Sequence, residues 1–131
     1  AAAEAPTGLI VELDLIDAPP ELREPALAAL AAAGVREGHL AIALVDGERM
    51  RELNRSHRAH DGPTDVLSFP VDEAGAAVGP RELGDVVICP EHTHDLREAV
   101  VHGVLHLCGY DHESDAGEML TLQDRIMAGL R

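Results

Sequence analysis

The sequence predicts an α+β fold. It reads as a single domain with a mixed sheet of about four strands, about four helices, and one helix carrying a histidine pair packed on the sheet in the manner of the zincins. Three observations lead there. Runs of strand period and runs of helical period are interspersed along the chain, with no internal repeat and no interdomain linker between them. The length, 131 residues, suits one domain with one packed core. Hydrophobic residues make up 46% of the chain and aromatics only 2%, so that core has to be built from Ala, Leu, Val and Ile.

Taken in order, residues 1–7 are expected to be disordered or foreign to the natural chain. Leu9 to Leu15 sets Leu9, Val11, Leu13 and Leu15 against Ile10, Glu12 and Asp14, which is the signature of a strand with one buried face. Pro19-Pro20 ends it. Pro25 fits the first turn of a helix that reaches about Ala33, and Gly34 closes that helix. His39 to Val45 is apolar at almost every position and is expected to be a central strand covered on both sides. Asp46-Gly47 turns the chain into a helix over Glu48–His57, followed by a loop over Arg58–Thr64. A short strand, Asp65–Phe69, is stopped by Pro70. Glu73–Pro80, rich in Gly and Ala, reads as a loose hairpin. Gly84–Cys89 is a further strand, and helix is expected to resume near His92 and run through Leu107. Asp115-Ala-Gly-Glu118 has the form of a capping box and opens a last helix reaching about Ala128.

Composition removes several classes. The formal net charge is −14, which argues against nucleic-acid binding driven by overall charge. A local basic patch remains, because Arg49, Arg51, Arg55 and Arg58 stand against Glu52 alone, a net of about +3, with His57 and His60 beside them. Every one of the ten basic residues is arginine. Cys89 and Cys108 are too few for a disulfide scaffold. Ala1–Pro6 has neither a basic region nor a sustained apolar run, so no signal peptide is expected there. No stretch approaches the roughly 18 apolar residues of a transmembrane helix. A cytoplasmic protein without a membrane partner is expected.

The chemistry concentrates between His102 and His112. On a helix through Val101–Leu107, His102 and His106 are i and i+4, one turn apart on one face. Gly109 is where such a helix stops, since glycine takes the left-handed conformation without steric cost. The chain can then reverse and bring His112 back as a third nitrogen ligand. Three protein ligands with an open fourth position describe a catalytic zinc site. The spacing H-x-x-x-H-x-x-G-x-x-H is that of the metzincin ligand set. One zinc ion is the expected cofactor, with nickel, cobalt or copper as alternatives for an all-nitrogen set.

Metzincins carry glutamate after the first histidine, as general base. Here that position is Gly103, so the peptidase mechanism lacks its base. Zinc can still bring the pKa of its bound water to about 7. Asp85 and Asp111 are the candidate catalytic carboxylates. Their structural alternatives are a strand-end cap for Asp85 and an orienting partner for a ligand imidazole for Asp111. Cys108 falls off the ligand face and is expected in the core.

Several linked motifs then carry a resemblance. They are Leu53-Asn54, Arg58 followed by Pro63-Thr-Asp-Val-Leu-Ser-Phe-Pro70, Leu83-Gly84-Asp85 with Val86–Cys89, and His102–His112. From about Ile42 to Met127 the sequence resembles the YbeY family of bacterial endoribonucleases. The resemblance implies a zinc-bound, single-strand-specific endoribonuclease acting on ribosomal RNA, notably at the 3′ end of the small-subunit RNA, and in ribosome quality control. It also implies His102, His106 and His112 as ligands and Arg58 as functionally important, with the small ribosomal subunit as partner. The oligomeric state is not read from it. The chain departs from the family in one place, a short segment from His92 to Ala99, which bears on substrate choice more than on the metal.

Arg58 also has a physical rationale of its own. Cleaving a phosphodiester builds charge on the phosphoryl oxygens, which a guanidinium can clamp through two hydrogen bonds. The structural alternative is an ion pair with Asp61 or Asp65. Two other functions share the histidines: a metallopeptidase or other small hydrolase, and a ribosome-associated protein with a structural zinc.

Overall fold

The structure is a computed structural model, and it describes residues 10–58, 66–70, 82–111 and 115–130. Strands β1 (Ile10–Ile16), β2 (Glu37–Leu44), β3 (Val66–Pro70) and β4 (Glu82–Ile88) form one sheet in the order β1-β2-β4-β3. β1, β2 and β4 run parallel, and β3 closes one edge antiparallel to β4. Helices α1 (Arg23–Ala32), α2 (Gly47–Arg58), α3 (Leu96–Leu107) and α4 (Glu118–Leu130) complete the α+β domain. None of the described helices is long and apolar enough to cross a membrane.

Alternation along each strand sorts the two faces. Val11, Leu13 and Leu15 of β1, Leu40 and Ile42 of β2, and Val86 and Ile88 of β4 join the main core with α1, α3 and α4. That core is aliphatic, as the composition requires. On the other face a smaller cluster of Met50, Leu67, Val87 and Cys89 lies under α2. The expectation that β2 is covered on both sides therefore holds only at one end. Ala41 and Ala43 line an open concavity together with Ile16, Phe69 and Asp85. Small side chains there leave α2 with partners only toward the end of the sheet.

A bulge between β2 and β4 sits where the sheet is most polar. His39 pairs with Glu82 and Leu40 with Gly84, so Leu83 is the extra residue. Gly84 has φ +130°, and a side chain there would collide with the Phe69 carbonyl oxygen, so glycine is required for β3 to pair so closely. At the bulge His39 bridges three strands, its Nε2 2.7 Å from Asp14 and its Nδ1 2.8 Å from Glu82. The hydrogen bonds to Asp14 and then Glu82 raise the His39 pKa above its usual value against a smaller opposing effect of burial.

Local boundaries differ from the sequence reading where a short polar residue decides them. Asp46 accepts from the Arg49 amide at 2.8 Å and so caps α2, which begins at Gly47 and continues through Arg58. Arg58 thus closes a helix instead of opening a loop. Pro90–His92 forms one 3₁₀ turn, and α3 starts only at Leu96. Before α4 the expected residues cap the helix with other partners than a capping box: Asp115 accepts from the Gly117 and Met119 amides at 2.8 and 2.9 Å and Glu118 from the Ala116 amide at 2.7 Å, while the Asp115 amide itself donates to the Asp111 carbonyl. The expected loop through Thr64 and the hairpin at 73–80 lie outside the described residues.

Candidate metal centre

Helix α3 is fixed at its start by Asp95, whose carboxylate accepts from the amides of Arg97 and Glu98 at 3.0 and 3.2 Å. Ala99, Val100, Val101, Val104, Leu105 and Leu107 then bury the helix against the sheet and its neighbours. His102 and His106 are half-buried and lie one turn apart. Their rings meet edge to face at 79°, with Nε2 atoms 3.2 Å apart.

Each imidazole is oriented through its other nitrogen. His106 Nδ1–H donates to the Tyr110 carbonyl at 2.9 Å, and His102 Nδ1–H donates to Gln123 Oε1 at 2.7 Å. A neutral ring protonated at Nδ1 carries its lone pair on Nε2. Two such lone pairs facing each other repel, whereas a cation between them is bound by both. Two nitrogens about 2.05 Å from zinc at a tetrahedral angle stand about 3.3 Å apart, close to the observed separation. The donor pair fits zinc.

The Tyr110 carbonyl arrives through the helix terminus. Gly109 takes φ +100°, its amide donates to the His106 carbonyl at 3.0 Å, and the Tyr110 amide donates to the Leu105 carbonyl at 3.1 Å. That pair of bonds is a Schellman motif with Gly109 at C′. The glycine that ends the helix therefore also aims the acceptor that holds His106.

Gly103 has a second reason to be glycine. A side chain there would stand 2.5 Å from Val86 Cγ1 and 3.1 Å from Val66 Cγ2. The helix is pressed onto β3 and β4 at this residue, and the Ser68 hydroxyl donates to the Gly103 carbonyl at 2.8 Å. A glutamate at 103 would meet the sheet.

His112 lies outside the described residues, and among the described residues no set of three His, Cys, Asp or Glu side chains converges on one point. Asp111 is exposed, its carbonyl accepting from the Asp115 amide at 3.1 Å. Asp85 lies apart from the histidine pair. Val86 abuts α3 at Gly103. Its neighbour Asp85 points to the opposite face, into the concavity with Ala41, Ala43, Phe69 and Arg49. The sheet separates its carboxylate from the two histidines. Arg58 ends α2, the helix on that opposite face, just before residues outside the described set. Cys108 packs at the edge of the main core, as expected.

Sequence reasoning missed Gln123. A signal was present: Met119, Gln123, Ile126 and Met127 are the buried stripe of α4, and Gln123 is its one polar member.

Comparison with known proteins decides the family. The model of the family described as Endoribonuclease YbeY matches residues 21–131. The chain belongs to the YbeY family. Among YbeY relatives, the Endoribonuclease YbeY of Azorhizobium caulinodans is 42% identical, the match covering 93% of this chain and 90% of that one. That of Rubrobacter xylanophilus is 46% identical over 73% of this chain and 70% of its own. The fold is similar to the solution structure of a Thermotoga maritima protein, with TM-score 0.54 and 26% identity over 89% of this chain and 86% of that one. The YbeY match begins before Ile42, so it takes in α1 as well as the linked motifs.

Proposed function

We propose that this protein is a zinc-dependent, single-strand-specific endoribonuclease that matures ribosomal RNA, notably at the 3′ end of the small-subunit RNA, and serves ribosome quality control. The observation that carries the metal reading is the pair of Nε2 atoms 3.2 Å apart, each turned there by an acceptor at Nδ1. Family membership supports RNA as the substrate.

His102 and His106 would hold the ion, with His112 as third ligand. When bound, zinc supplies a Lewis acid and brings water to ionise near neutral pH. The chain's own residues do the rest. The Gln123 and Tyr110 oxygens hold the ligand protons at Nδ1. Gly103 and Ser68 fix the helix that carries the ligands to the sheet. Arg58 clamps the phosphoryl oxygens as charge develops on them. Asp111, adjacent in sequence to His112, would orient a ligand or accept a proton. The acidic body, with net charge −14, repels RNA in general. Binding is therefore weak unless the ribosome presents the strand, a behaviour that suits work in the cytoplasm on the small subunit.

The test is cleavage of a defined ribosomal RNA fragment containing both paired and single-stranded segments. Cuts confined to the single strand, abolished by a chelator and restored by zinc, are expected. Equal cutting of paired segments, or cutting that survives chelation, would contradict the reading. A 3′-hydroxyl end would identify water as the nucleophile, and a cyclic phosphate the ribose 2′-hydroxyl.

A further inference from the structure

We propose that Gln123 is a positioning residue of the metal centre, holding His102 in the tautomer that directs Nε2 at the ion and making helix α4 part of the site. This rests on the reading of His102 and His106 as metal ligands.

Packing alone does not call for an amide at this position. Gln123 is 7% exposed, and the other inward residues of α4, Met119, Ile126 and Met127, are apolar. A buried amide is costly unless it is hydrogen-bonded, while a leucine or methionine would fill the same space without that cost. The bond that offsets the cost is the one to His102, 2.7 Å from Gln123 Oε1 to Nδ1. His106 takes its acceptor from the end of its own helix, at Tyr110. His102, one turn earlier, takes it from the last helix of the chain.

The direction of that bond decides whether the ion can bind. With Oε1 accepting, the ring proton sits on Nδ1 and the Nε2 lone pair faces His106. With the amide N–H donating instead, the proton would move to Nε2 and point at His106 Nε2, blocking the ion. The Tyr110 carbonyl can only accept, so the neutral His106 ring has its proton fixed at Nδ1. Gln123 sets the matching state for His102. Outer partners of this kind typically change metal affinity by 10–100-fold when removed.

The test is zinc affinity of the full chain, measured by competition with a chromophoric chelator, for the wild type, Gln123→Leu and Gln123→Glu, alongside melting curves recorded with chelator present. A carboxylate can only accept from Nδ1–H, so Gln123→Glu should bind zinc at least as tightly as the wild type. Gln123→Leu should bind about 10–100-fold more weakly. The cobalt-substituted proteins should show an altered visible spectrum for Leu and a wild-type-like one for Glu. A purely structural role would shift the melting temperature of both variants and leave zinc affinity unchanged, and that result would overturn the proposal. If Gln123→Leu does not fold, Gln123→Glu alone decides, since a tenfold loss of affinity in it contradicts the tautomer role. If the wild type binds zinc no better than His106→Ala, the metal reading itself falls, and the proposal with it.

Discussion

The Nε2 atoms of His102 and His106 stand 3.2 Å apart, and the segments that turn them together lie outside the turn that bears them. One ring is held by a carbonyl from the helix terminus and the other by an amide from α4. The pair is thus fixed by tertiary structure as well as by its i, i+4 spacing.

Replacing Gly103 by alanine should cost stability. The added methyl would meet Val86 at 2.5 Å, and overpacking of this kind typically costs about 1–3 kcal/mol. Urea unfolding should show a lower midpoint with an unchanged slope. Unchanged stability would mean that α3 lifts from the sheet without cost.

Gly109→Ala should affect both stability and metal. Holding a residue with a side chain at φ +100° costs about 1–2 kcal/mol. Relaxing that strain would displace the Tyr110 carbonyl from His106. Zinc affinity should fall, and Gly109→Asn should recover part of it because asparagine tolerates left-handed backbone. Full zinc affinity in Gly109→Ala would show that the Tyr110 carbonyl is dispensable.

Much of this was legible in the chain. Alternation over Leu9–Leu15 marked β1, and the histidine spacing with Gly109 marked both the ligand face and its stop. Distance information was not legible. Gln123 is 21 positions from His102, and nothing local says that the two meet. Asp85 was a candidate carboxylate because Gly103 left the site without a base, yet strand alternation turns it to the other face of the sheet. Gly103 was read as a missing base, whereas its contacts with Val86 and Val66 show a packing requirement too. Helix starts at Gly47 and Leu96 depended on the caps Asp46 and Asp95, which periodicity alone does not reveal.

Arg58→Ala should separate metal from substrate. Zinc content should stay at the wild-type level while cleavage of single-stranded RNA falls by about 10²–10³-fold, the usual effect of removing one charge-stabilising donor. Zinc loss equal to that of a histidine variant would assign Arg58 to the metal centre instead.

His39 should make stability depend on pH in a defined direction. Asp14 and Glu82 raise its folded pKa above the unfolded value of about 6.5. Its stabilising effect is therefore complete below about pH 6.5, while the two carboxylates are ionised, and is lost as pH rises through the folded pKa. The side chain is 30% exposed, so solvent screens the effect. Urea midpoints of the wild type and His39→Gln should differ most near pH 5.5–6 and converge at alkaline pH. A gap that widens with pH would reverse the sign.

The most direct measurement is zinc stoichiometry together with single-stranded RNA cleavage for the wild type and His106→Ala. One zinc per wild-type chain is expected, with cleavage that disappears on chelation and returns with zinc, and neither zinc nor cleavage in the variant. RNA cleavage by His106→Ala at the wild-type rate in zinc-free buffer would contradict a metal centre built on this pair.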